Sequence, residues 1–142
     1  MKLVTPFKGE RKTPQEYVPG KCNIGTRGRA MRLATGLVVV GLTLGFGFTV
    51  LPSGFRPLRL VLAIPVYVGL LSILEGGMSF CVFQASRGTY DFHEKFGPMG
   101  KSETRMTVEK EEWKRKDRRK ALLMHSEAVI GAVILAVLLF IA

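Results

Sequence analysis

The chain has 142 residues, 47% of them hydrophobic, and a formal net charge of +10. That length suits one ordinary domain, but the polarity is too segregated for a small soluble helical core. Two cysteines set no disulfide framework, and no cleavable signal peptide fits a first apolar run that begins thirty-two residues in.

Residues 1–21 hold three prolines and scattered charges, and they read as an extended cytoplasmic arm. In "CNIGTRGRAMR", from Cys22 to Arg32, Asn23 is placed to cap a local turn. Arg29 and Arg32 share a helical face just below the membrane, where they suit anionic lipid or a partner. Residues 33–51 then run without a charge, long enough for a helix to cross the hydrocarbon core. Gly41 and Gly45 form a GxxxG pair within it, the spacing that lets helices pack closely.

"LPSGFRP", 51–57, predicts a tight turn and so a hairpin. The second span starts near Leu58, with Pro65 expected to bend it. Over residues 60–83 its one formal charge is Glu75, in "SILEGGMSFC". A carboxylate at that depth needs a partner, a proton or trapped water, and Arg29 or Arg32 is in reach if the loop folds back. Structural hydrogen bonding is favoured over proton or ion handling, because no second embedded ionisable group completes a relay.

Residues 89–106 read as a cytoplasmic connector. Residues 107–142 read as a basic helix continuing into a third transmembrane helix, with Thr107 as its N-cap. Glu111–Arg115 and Glu112–Lys116 are spaced to pair along it. Lys114, Arg115, Lys116, Arg118, Arg119 and Lys120 form a basic block suited to lipid or partner contact. Ala128, Ala132 and Ala136 add a small-residue stripe for helix packing. The fold class is therefore an all-α membrane protein, a transmembrane hairpin plus a long third helix. Basic residues crowd the N-terminal segment and the second connector, which places both in the cytoplasm and the C-terminus outside.

No HExxH, Walker A, hydrolase elbow or zinc-ligand cluster occurs, so no enzyme activity and no cofactor are expected. Cys22 and Cys81 both fall at the cytoplasmic end and form a possible thiol pair, with packing the favoured role. His125 could ligate a haem or chlorophyll, and a polar or lipid-facing contact is the simpler role. The charge does not indicate nucleic acid, because the basic helix leads directly into the membrane.

The segments "CNIGTRGRAMRLATGLVVVGLTLG" and "YVGLLSILEGGMSFCVFQASRG" together resemble the YgaP-like inner-membrane transmembrane domain. The likeness lies in Asn23 and Gly25 before Arg29, Arg32 and Gly36, then Phe80–Cys81 with Gly88 just after, and it covers residues 22–88. It implies a two-helix hairpin with both ends cytoplasmic. Relatives can carry a fused rhodanese domain, which this chain lacks, so that sulfur activity does not transfer. The expected function is a small non-catalytic accessory or assembly subunit of a larger inner-membrane complex, an energy-transducing one among the candidate hosts. Its partners would be other membrane subunits and anionic lipids. The alternative is a homo-oligomeric sulfur-handling or small-solute transport protein using Glu75, Cys22 and Cys81.

Overall fold

A computed structural model describes residues 17–51, 56–93 and 103–142. Most of the extended arm (1–16), the tip of the hairpin turn (52–55) and the middle of the connector (94–102) lie outside the described residues.

Three helical stretches are long and apolar enough to cross a membrane: Thr26–Thr49, Pro57–Met78 and Glu111–Ile141. The first is one helix, α1 (Thr26–Thr49). The second is split into α2 (Arg56–Val61) and α3 (Ala63–Met78). The break falls at Leu62, whose amide donates to Arg59 O in a tightened turn. Pro65 explains it: without an N–H it cannot donate to Val61, so the ladder fails one turn before the proline. The third is a single helix, α5 (Glu111–Ile141). It begins four residues after Thr107, with Lys110 at the N-cap position, so Thr107 does not cap it.

α3 is the central helix, packed on α1 along one side and on α5 along the other. Glycines set the α1–α3 approach. A Cβ on Gly36 would come within 2.6 Å of Gly69 O, and one on Gly76 within 2.7 Å of Arg29 O. Only hydrogen fits at those points, as expected where two membrane helices touch backbone to backbone. α5 turns Ala121, Met124, Ala128, Ala132, Ala136 and Leu139 inward.

The basic end carries a folded cap. α3 ends at Ser79 in the left-handed conformation, and the short helix α4 (Val82–Arg87) follows at once. Gly88, at φ 66°, then turns the chain into β1 (Thr89–Tyr90), which pairs antiparallel with β2 (Met106–Thr107). Ile24 bridges to Asp91 and Val18 to Cys22, so the segment before α1 is woven into the same cap. Phe80, Val82 and Ala85 close against Ala121 and Met124 beneath it.

Candidate functional site

Where α1, α3 and α4 meet, Glu75 finds its partner. Arg32 Nε donates to Glu75 Oε2 at 2.9 Å, and the Val82 amide donates to Oε1 at 2.8 Å. Both side chains of the pair are about nine-tenths buried, at 6% and 10% exposure. Arg32 also donates to the Gly28 carbonyl at 3.1 Å. One turn earlier on α1, Arg29 Nε donates to Gly76 O at 3.1 Å. The local sequence makes this possible. Gly76 lets α1 come close enough for Arg29 and Arg32 to reach α3, and the sharp α3–α4 corner aims the Val82 amide back at Glu75.

Cys81 sits at that corner, with its thiol in hydrogen-bonding reach of both Glu75 and Arg32. Its backbone is held by Asn23, which accepts from the Cys81 amide at 2.6 Å and donates to the Cys81 carbonyl at 3.0 Å. Asn23 therefore does not cap a local turn; it pairs with residue 81 as a strand neighbour would. Burial, and then the nearby Glu75 carboxylate, push the Cys81 thiol up to about 11. Burial also raises Cys22, whose thiol turns to the Ile24 carbonyl at 3.6 Å. Both cysteines are buried, and no disulfide links them. Protonated thiols in apolar surroundings are poor nucleophiles and poor soft-metal ligands.

The geometry thus makes Glu75 a clasp. Each oxygen is taken by a donor, one of them a cation, and the third titratable side chain at the pair, the Cys81 thiol, is buried and held in its protonated form. Deeper on α3, the Tyr67 hydroxyl is hydrogen-bonded to His125 Nδ1 of α5, and the rings stack with centroids 6.1 Å apart. His125 therefore makes an interhelical polar contact.

The other residues singled out by sequence divide by face. Ala128, Ala132 and Ala136 are buried, at 1%, 3% and 4% exposure. Gly41 and Gly45 lie on the opposite side of α1 from Gly36 and Gly47, and a Cβ on either would meet nothing within 4 Å. They play no part in packing this chain's own helices. On α5, Lys114 pairs with Glu111 at 2.7 Å and Lys116 with Glu112 at 3.3 Å. Glu111 thus pairs with Lys114 in place of Arg115. Arg115, Arg118 and Arg119 are exposed, and Lys120 is half-buried.

Two anchoring residues escaped the sequence reading. Arg59, 5% exposed, donates from Nη1 to Leu139 O at 2.9 Å and from Nη2 to Leu51 O at 2.7 Å. It ties the far ends of α1 and α5 by their C-terminal carbonyls, the negative ends of both helix dipoles. Asp117, fully buried, accepts from the Tyr17 hydroxyl at 2.8 Å and the Gly20 amide at 2.7 Å. Tyr17 in turn stacks on Tyr90, centroids 4.6 Å apart, beside Trp113. Burial and the Asp117 carboxylate push the Tyr17 hydroxyl well above its ordinary value.

No family model, curated protein or solved structure matches this chain.

Proposed function

We propose that the chain is a small non-catalytic accessory or assembly subunit of a larger complex in the inner (cytoplasmic) membrane. Its basic cap would lie in the cytoplasm and the far end of α5 outside, in keeping with the bias of Lys and Arg toward that side. The observation that carries this reading is the outer face of α1. Gly41 and Gly45 open a shallow groove there, flanked by Leu37, Val38, Leu42 and Phe46, all exposed. Glycine in a lipid-facing helix gives up side-chain packing with nothing gained, whereas a second helix can seat against it. The spans also bury only 17–28% of their apolar windows within the chain, which leaves wide surface for neighbouring subunits.

The proposal includes the YgaP-like character of residues 22–88. It draws support from the place of the shared residues, since Asn23, Arg29, Arg32 and Cys81 lie together at the base of the hairpin and Gly36 sits at the α1–α3 contact. The alternative, sulfur handling or solute transport through Glu75, Cys22 and Cys81, draws less support. Both Glu75 oxygens are committed to structure, and both thiols are buried and held protonated.

Mild-detergent purification from native membranes, followed by mass spectrometry, tests the proposal. A stable membrane partner is expected with the wild-type chain, and its recovery should fall when Gly41 and Gly45 are both leucine. Equal recovery with both forms would remove this face from the interface. Recovery of the chain alone would contradict the subunit role.

A further inference from the structure

Along α5, three arginines occupy one outward face at the point where the helix changes from polar to apolar. Arg115 and Arg119 are one turn apart, and Arg118 lies beside them. None of the three makes an ion pair among the described residues, because the nearby acids are engaged elsewhere. Glu111 and Glu112 hold Lys114 and Lys116. Asp117, the one acid inside the basic run, is turned inward, with both oxygens taken by Tyr17 and Gly20. The buried aspartate thus leaves the outward face of the basic run with three arginines that form no ion pair among the described residues, Glu111 acting on Arg115 and Arg118 only at longer range.

The same face continues upward into lipid. At helical spacing Arg115 and Arg119 are followed by Leu122, Ser126, Val129 and Val133; the three apolar side chains are 68%, 49% and 53% exposed, and the Ser126 hydroxyl is turned back to the Leu122 carbonyl at 3.0 Å. At about 1.5 Å per residue, Arg119 lies roughly 4.5 Å and Arg115 roughly 10.5 Å below Leu122. The headgroup layer on each side of the hydrocarbon is about 5–8 Å deep, so with the hydrocarbon edge at Leu122 the arginines would stand at and just below phosphate level. A shallow cleft of about 260 Å³ opens between Glu112, Arg115, Lys116 and Arg119. Glu112 is the one anion in its lining, and it is held by Lys116.

We propose that this face binds the phosphodiester headgroup of an anionic glycerophospholipid, with the acyl chains lying along Leu122, Val129 and Val133. The arginine forks supply the phosphate contact and the apolar ladder above fixes the direction of approach. A free phosphate or an acidic protein would use the arginines but gain nothing from the lipid-facing leucine and valines directly above them. This inference needs the chain to span a membrane and is independent of its joining a complex.

The test uses the full chain, purified and delipidated in mild detergent, then given an equimolar mixture of phosphatidylglycerol and phosphatidylcholine. Native mass spectrometry reads the ratio of retained lipids. A clear preference for phosphatidylglycerol is expected, and R115Q/R118Q/R119Q should lower it by about tenfold or more. K21Q/R27Q/K110Q, with the same change in net charge at exposed residues outside the basic run, should lower it by no more than about twofold. Equal loss in both triple variants, or no preference in the wild type, would overturn the proposal. So would inorganic phosphate that displaces phosphatidylglycerol at equal concentration. Should the arginine triple fail to fold, R119Q alone is expected to cut the preference about threefold, and an unchanged ratio there overturns the proposal as well.

Discussion

Replacing Glu75 with leucine removes the carboxylate from a pair whose two side chains are 6% and 10% exposed. Arg32 keeps the Gly28 carbonyl and its contact with Cys81, but no carboxylate, and the Val82 amide loses its acceptor. Removing one member of a buried ion pair costs about 3–5 kcal/mol, most of it the desolvation of the charge left behind. The site lies near the interface, where a long arginine can turn toward water, so the lower end of that range is expected. Glu75→Gln keeps the size and one carbonyl oxygen for Val82, and it loses the charge-assisted bond, a cost of about 1.5–3 kcal/mol. Arg32→Met combined with Glu75→Leu removes both charges and should recover most of the loss, giving a coupling energy of about 2 kcal/mol or more. Reversible unfolding in mixed micelles, followed by far-UV circular dichroism, measures wild type, Glu75→Leu, Glu75→Gln, Arg32→Met and the double variant. A Glu75→Leu chain within about 0.5 kcal/mol of wild type, or a coupling below that value, would refute the clasp.

The glycines that touch backbone should be intolerant and those that face outward tolerant. Gly36→Ala and Gly76→Ala are each expected to cost about 1–3 kcal/mol in the same unfolding assay, whereas Gly41→Ala and Gly45→Ala should be neutral in the isolated chain. Arg59→Gln should loosen the far end, with faster hydrogen exchange in the last turn of α5 around Leu139. The raised Cys81 thiol also makes stability depend on alkaline pH. Its protonated form is favoured in the folded chain, so its contribution is fully present below its ordinary value of 9.0 and is lost as pH rises from there to about 11. Unfolding midpoints should fall across that window, and Cys81→Ala should flatten the part of the slope that Cys22 and Tyr17 do not cause.

The spans were legible because hydrocarbon demands long uncharged runs, and such runs stand out in any chain. The Glu75 partner was legible too, since a carboxylate at that depth needs a cation and Arg29 and Arg32 were the near candidates. The choice of glycine face was not. Gly36, Gly41, Gly45 and Gly47 lie on one helix, and only the positions of α3, for Gly36, and of Leu62 and α5, for Gly47, decide that these two face inward. Asp117 gives no local signal of its role, because its partners Tyr17 and Gly20 are about a hundred residues away. Arg59 gives no signal for the same reason, its acceptors being carbonyls at the ends of two other helices. Pairings set by long-range closure leave no local pattern in sequence. The Thr107 cap failed differently: residues 106 and 107 pair with β1, and that ladder displaces the helix start to Glu111.

The most direct measurement of the subunit role is site-specific photocrosslinking from Leu42, which is 71% exposed beside Gly41 on the outer face of α1. A photoreactive residue at position 42, irradiated in native membranes, should yield one discrete adduct with a different membrane protein, and the Gly41→Leu, Gly45→Leu form should lose it. Adducts to lipid alone, or to a second copy of this chain, would contradict the accessory-subunit reading.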